Sequence, residues 1–193
     1  QMEKTAIAIL IIGAALLAYQ PTIDYLSEKF PETLGNCRCD SVRDMVAWAE
    51  GNKLCMYRDS LGIPTIGIGF NLQRGDARKL ITNVGANFDR VLSGADCLTQ
   101  VQVNNLFNND LVWARRGAQN CISGFAGLHN CIQNVVIDMT FNMGERALCG
   151  WPIFAGQLSR KENVAAANNM KGTRWCGQVG RRCTRNTDLV RNC

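Results

Sequence analysis

The most informative part of this chain reads Glu50-Gly51-Asn52-Lys53-Leu54-Cys55-Met56-Tyr57-Arg58-Asp59-Ser60-Leu61-Gly62-Ile63-Pro64-Thr65-Ile66-Gly67-Ile68-Gly69-Phe70. It places one carboxylate, Glu50, at the end of a helical pattern. A second carboxylate, Asp59, follows nine residues later on strand-like sequence, and a small hydroxyl follows at Thr65. The segment therefore supplies two acids and a hydroxyl from short, rigid elements.

Two carboxylates and a hydroxyl on either side of a cleft are the groups that hydrolysis of a glycosidic bond needs. One acid protonates the leaving oxygen, and one base or anion activates water or stabilises the oxocarbenium charge. Taken singly, Glu50 suits a solvated helix end, Asp59 a turn and Thr65 a strand. It is the joint spacing that favours a catalytic site.

The surrounding sequence predicts a mostly α-helical α+β fold. A helix over residues 40–50 is capped by Asp40 or Ser41 and ended by Gly51. A capping-box pattern at Thr99 opens a long helix that is expected to reach Arg116. The remaining predicted elements are strands at 54–58 and 65–70, two short helices within 75–94, a buried helix at 129–143, and helices at 153–160, 161–170 and 181–191.

The N-terminus and the cysteines both indicate export. Residues 1–18 have the profile of a cleaved signal peptide, with an uncleaved signal-anchor helix as the alternative, and residues 19–38 resemble a leader or linker. The ten cysteines predict up to five structural disulfides, whose connectivity cannot be deduced. A metal site is disfavoured because the chain lacks Cys-x-x-Cys and has a single histidine, His129.

The net charge of +5 favours an anionic partner, without choosing between bacterial walls, nucleic acid and anionic membranes. Much of the basic excess lies near the C-terminus, at Arg174, Arg181, Arg182, Arg185 and Arg191. An ordinary soluble basic surface is the simpler explanation.

A family resemblance rests on Glu50-Gly51, Tyr57, Asp59, Gly62 and the run Thr65-Ile66-Gly67-x-Gly69. Together these residues resemble the active-site signature of the phage-type lysozymes, glycoside hydrolase family 24. Similar segments continue along the chain at Thr99–Gly117, at Phe141–Glu145, at Arg174-Trp175 and at Gly180–Arg182.

The resemblance implies a lysozyme-like two-lobed catalytic domain over residues 39–193. Its N-lobe would cover about 39–97 and its C-lobe, after a long connecting helix, about 98–193. Glu50 would be the general acid, Asp59 the second carboxylate, and Thr65 would help to place the attacking water. Asn142 would hydrogen-bond a sugar amide. Family members generally invert the anomeric configuration.

The implied function is secreted, extracellular hydrolysis of the β-1,4 bond between N-acetylmuramic acid and N-acetylglucosamine in bacterial peptidoglycan, for defence or digestion of bacteria. The same resemblance implies a monomer without cofactor, metal, nucleic-acid partner or stable membrane insertion after signal cleavage. Two alternatives are a non-catalytic peptidoglycan-binding protein and a cationic membrane-active antibacterial protein.

One departure from the family concerns Phe70, which stands where the family usually has a histidine. That histidine supports structure rather than chemistry, so the reaction should be unaffected. Strand alternation would place Phe70 on one face with Ile66 and Ile68. The cysteine content also departs from cytosolic phage enzymes and suggests a secreted eukaryotic version, or a phage enzyme exported to the periplasm.

Overall fold

The computed structural model describes residues 37–59 and 61–193, so the predicted signal peptide and most of the predicted leader lie outside the described residues. The strands are β1 (Lys53–Arg58), β2 (Pro64–Gly67) and β3 (Phe70–Asn71). The helices are α1 (Val42–Glu50), α2 (Ala77–Asn83), α3 (Phe88–Leu92), α4 (Gln100–Cys121), α5 (Asn130–Met143), α6 (Glu145–Cys149), α7 (Pro152–Ser159), α8 (Asn163–Lys171), α9 (Arg174–Val179) and α10 (Arg181–Asn192), with a 3₁₀ turn at Phe125–Gly127.

Side-chain caps fix the starts of α1, which carries Glu50, and of the long helix α4. Ser41 accepts a hydrogen bond from the backbone N–H of Asp44 (3.2 Å), so α1 begins as the sequence predicts. The capping box at α4 is confirmed, because Thr99 and Gln102 each accept a bond from the other's backbone N–H. Helix α4 then continues to Cys121, beyond the predicted end at Arg116.

The single strand predicted over residues 65–70 is wrong. Gly67 and Gly69 have φ of +64° and +69°, which turns the chain and divides the segment into β2 and β3. In the resulting antiparallel sheet, in the order β1-β2-β3, Thr65 pairs with Tyr57 on β1 and with Asn71 on β3. The turn brings residues of β3 back beside the strand that carries Thr65.

Two apolar clusters hold the described chain together. One surrounds the sheet and includes Ile66, Phe70 and Phe107, and the other surrounds α5. Helix α1 contributes to both, with Val46 in the sheet cluster and Met45 in the helical cluster. This burial fixes the helix that ends at Glu50 from two sides, and the mostly helical α+β class is confirmed.

All ten cysteines are paired, as the composition predicts. The five disulfides join Cys37 to Cys193, Cys39 to Cys131, Cys55 to Cys97, Cys121 to Cys149, and Cys176 to Cys183. The first of these ties together the two ends of the described chain. None of the helices in the described part of the chain has the length and apolar character needed to cross a membrane.

Candidate active site

Glu50 is the last residue of α1, and a guanidinium holds its partly buried carboxylate. Arg182 Nη1 donates a hydrogen bond to Glu50 Oε1 over 2.6 Å. The backbone of Gly69 also approaches so closely that a Cβ there would lie 3.0 Å from Glu50 Oε2. The sequence predicts mainly apolar neighbours for Glu50, whereas its closest charged partner is an arginine 132 positions further along the chain.

Asp59 lies in the turn after β1, where it also has a structural task. Its Oδ1 accepts backbone N–H bonds from Leu61 (2.8 Å) and Ile63 (2.9 Å), which is an Asx-type turn. These bonds fix one carboxylate oxygen, so the orientation of the other is set as well. The turn explanation and the catalytic explanation of Asp59 are therefore compatible.

Tyr57 pairs with Thr65 across the sheet, and the charges of both carboxylates affect its pKa. Burial raises the pKa of Tyr57, and the negative charges of Glu50 and Asp59 raise it further, so both carboxylates act on the same phenol. Thr65 is the cross-strand neighbour of Tyr57 and is buried. Its hydroxyl donates to the carbonyl of Ile63 (3.0 Å), which leaves the oxygen able to accept a bond from water.

Asn142, the fourth predicted site residue, faces the same cavity as Glu50. This open cavity, the Glu50 cavity, has a volume of about 630 Å³ and is lined by Trp48, Ala49, Glu50, Asn142, Gln178, Val179, Arg181 and Arg182. Trp175 Nε1 donates to Asn142 Oδ1 over 2.8 Å. Because that oxygen is engaged, the amide nitrogen of Asn142 is the atom it can offer to a ligand.

Arg182 anchors a buried polar network that sequence reasoning missed. It donates to both carboxylate oxygens of Asp138 (2.9 and 3.0 Å) and to the Asp138 carbonyl (3.0 Å). Asn186 donates to Asp138 Oδ2 (2.7 Å), and Arg185 Nη2 lies 3.0 Å from that oxygen without an aligned hydrogen bond. Burial opposes the charge of Arg182, but its bonds to Asp138 and Glu50 raise its pKa overall.

The network gives two arginines of the basic C-terminal segment an internal role. Arg182 is buried and Arg185 is half-buried, so these two charges serve internal ion pairs rather than an anionic partner. One sequence signal could have found the network. Asp138 is the one acidic residue in the segment 129–143, which the sequence predicts to be a buried helix, and a buried carboxylate requires a partner.

The chain is similar to known proteins along most of its length. The family model described as "Phage lysozyme" matches residues 47–190, which is most of the chain and includes every residue of the candidate site. The chain belongs to the phage lysozyme family. It is similar to "Probable T4-type lysozyme 1" of Dictyostelium discoideum, with 28% identity over 78% of this chain and 93% of that protein. It is also 25% identical to "Probable T4-type lysozyme 2" of the same organism, over 75% of this chain and 90% of that protein.

Within this phage lysozyme family member, Phe70 lies beside an arginine ion pair. Phe70 is 2% exposed, opposite Ile66 in the sheet, and the Arg74 guanidinium carbon lies 5.0 Å from its ring centroid. Arg74 also bonds Asp110 (2.7 Å) and Asp76 (2.6 Å). The predicted burial with Ile66 and Ile68 occurs, although through pairing of β2 with β3 rather than through alternation on one strand.

One group of potential metal ligands lies outside the site of this lysozyme-family chain. The sulfurs of Cys37, Cys131 and Cys193 and a nitrogen of His129 lie within 4.8 Å of one another. All three cysteines are engaged in disulfides, so their sulfurs are not thiolates that could bind a metal. His129 caps α5 by accepting the backbone N–H of Cys131 (3.2 Å).

Proposed function

We propose that this protein is a muramidase of glycoside hydrolase family 24 that cleaves the β-1,4 bond between N-acetylmuramic acid and N-acetylglucosamine in peptidoglycan. The observation that carries the proposal is the placement of Glu50 in an open cavity with Asn142, where Arg182 and the backbone of Gly69 hold its carboxylate. Asp59 and Thr65 lie on the adjoining sheet, in the turn after β1 and on β2. Membership of the phage lysozyme family and the names of the two relatives support the same reaction class.

In the proposed mechanism Glu50 gives a proton to the oxygen of the departing sugar. Arg182 holds one oxygen of its carboxylate (2.6 Å), so the side chain keeps one orientation as substrate enters. Gly69 lies so close to Glu50 that a side chain at position 69 would press against the carboxylate. These two contacts would align the acid with the bond to be broken.

Asp59 and Thr65 serve the other half of the reaction. Asp59 stabilises the positive charge that develops on the sugar ring or accepts a proton from water, and its turn bonds keep it in place. The Thr65 oxygen accepts a hydrogen bond from the attacking water, because its own proton is bound to the Ile63 carbonyl. Attack from the face opposite the leaving group would invert the anomeric carbon.

Asn142 and the disulfides complete the proposal. The Asn142 amide nitrogen would donate to an acetamido oxygen of the sugar in the Glu50 cavity. Five disulfides suit an extracellular enzyme, so we propose a secreted protein that acts on bacterial walls in defence or digestion.

The test is to identify the bond that the purified protein cleaves. Isolated peptidoglycan is digested in heavy-oxygen water, and the products are examined by mass spectrometry after borohydride reduction. We expect reducing-end N-acetylmuramic acid that carries the heavy oxygen, and NMR of fresh product should show its α anomer. Reducing-end N-acetylglucosamine, an anhydro product without added water, or no product at all would contradict the proposal.

Glu50→Gln and Glu162→Gln form the matched pair of variants for this digestion. Both changes remove one carboxylate and keep its shape, but Glu162 lies on the surface in an ion pair with Arg160. We expect product from the Glu162 variant and essentially none from the Glu50 variant. Binding of both variants to peptidoglycan without cleavage by the wild type would instead indicate a non-catalytic binding protein.

A further inference from the structure

A second open cavity, which Arg182 does not line, contains an exposed tryptophan. This Trp113 cavity has a volume of about 270 Å³, and its lining includes Gly69, Arg74, Asp110, Trp113, Phe141 and Glu145. Trp113 is 62% exposed on the long helix α4. A large aromatic ring so exposed beside a cavity is typical of a binding surface.

The Trp113 cavity borders the proposed catalytic centre. Gly69 lines it, and the same glycine lies against the Glu50 carboxylate. Phe141 lines it as well, while the next residue, Asn142, lines the Glu50 cavity. A linear ligand with one unit at Glu50 would therefore reach Trp113 with a more distant unit.

The lining of the Trp113 cavity combines an aromatic face with fixed polar groups. The Arg116 guanidinium carbon lies 5.3 Å from the Trp113 ring centroid, which restrains the indole by a cation–π contact. Arg74 and Asp110 form an ion pair at 2.7 Å, and Glu145 accepts a hydrogen bond from Asn120 (2.9 Å). A pyranose ring has the matching chemistry, with an apolar C–H face and hydroxyl groups at its edge.

We propose that Trp113 forms a stacking platform for a distal sugar ring of the glycan strand, remote from the bond that is cleaved at Glu50. This inference rests on the proposed function, because the strand must be anchored at Glu50 for the distal ring to reach Trp113. The platform would favour long glycan strands over short fragments. Trp113 would then determine specificity without taking part in the chemistry.

The test compares substrates by length. Peptidoglycan strands are separated into short fragments and strands of many disaccharides, and kcat/KM is measured on each with wild type, Trp113→Ala and Trp113→Phe. Loss of one aromatic stacking contact corresponds to about a threefold to tenfold effect. We expect Trp113→Ala to lower kcat/KM by that factor on long strands and to leave it almost unchanged on the shortest cleaved fragments. Trp113→Phe should retain most of the wild-type kcat/KM on both substrates.

Val112→Ala is the matched control, because Val112 is equally exposed (64%) on the neighbouring position of α4 and does not line the cavity. We expect it to leave both rates unchanged. Equal rates of Trp113→Ala and wild type on long strands, or the same loss on short and long substrates, would overturn the stacking platform.

A binding measurement separates failure of this inference from failure of the proposed function. In an inactive Glu50→Gln background, calorimetry with long strands should give a weaker Kd when Trp113→Ala is added. If wild type cleaves no strand of any length, the proposed function fails. If wild type cleaves strands but the Trp113 change alters neither Kd nor length preference, only the platform fails.

Discussion

Replacing Arg182 by methionine should strongly destabilise the fold. Arg182 is 6% exposed and Asp138 is fully buried, and Arg182 makes three hydrogen bonds to Asp138 and one to Glu50. Removing one partner of a buried ion pair costs about 3–5 kcal/mol. Asp138 keeps its bond from Asn186 and the nearby Arg185 cation (3.0 Å), so we expect the lower end, about 3 kcal/mol, or a Tm lower by roughly 6–12 °C.

The assay is thermal unfolding followed by circular dichroism, with three further variants. Arg181→Met removes the same charge from the adjacent exposed residue and should change Tm little. Arg182→Lys keeps the charge without the planar fork and should lie between wild type and Arg182→Met. Arg182→Met combined with Asp138→Asn removes both charges, so it should be more stable than Arg182→Met alone.

Two results would refute this reasoning. If Arg182→Met has the same Tm as the wild type, the ion pair between Arg182 and Asp138 does not contribute to stability. If the double variant is no more stable than Arg182→Met, the cost comes from lost packing rather than from a buried carboxylate that has lost its main partner. A folded Arg182 variant with wild-type hydrolysis would further show that Arg182 does not position Glu50.

Three other predictions concern the phenol, the disulfides and Phe70. Glu50→Gln should lower the pKa of Tyr57 without restoring its ordinary value, because burial is the larger cause of the raised pKa. Ultraviolet titration, with Tyr57→Phe as the reference that identifies the Tyr57 signal, measures this pKa. An unchanged pKa would show that the Glu50 charge does not act on Tyr57. Each disulfide contributes about 2–4 kcal/mol to the free energy of unfolding, so a reductant should lower Tm strongly. Peptide mapping of the native protein should recover the five pairs, and free thiols would contradict this prediction. Phe70→His should cost about 1–3 kcal/mol by burying an imidazole beside the Arg74 cation, with little effect on hydrolysis; a higher Tm would show the opposite.

Local signals account for the parts of the fold that could be predicted. The caps at Ser41 and Thr99 and the apolar pattern of α5 each lie within a few turns of chain, so propensity and periodicity suffice to find them. The sequence does not reveal that the strand predicted over residues 65–70 ends at Gly67, because glycine is compatible with both a strand and a positive φ. Its actual conformation depends on close packing against Val103, where a Cβ on Gly67 would lie 3.1 Å from the valine methyl.

The candidate site was only partly predictable for a related reason. Glu50, Asp59 and Thr65 lie within one short segment, so their spacing carries information about their joint placement. Arg182 reaches Glu50 across 132 positions, and no periodicity connects such residues. Trp113 was likewise indistinguishable from a core residue in a helix, because only the folded chain places its ring at the cleft.

The most direct test of the central claim is the rate of peptidoglycan hydrolysis by the Glu50→Gln variant. Its Tm and circular dichroism spectrum are compared with those of the wild type, to show that the variant is folded. If Glu50 is the general acid, hydrolysis should fall by at least ~10²–10⁴-fold while the fold is retained, because the amide cannot supply the proton. Asp59→Asn should also lose much of the rate. A folded Glu50→Gln variant that keeps a substantial part, roughly a tenth or more, of wild-type hydrolysis would contradict the assignment of this site.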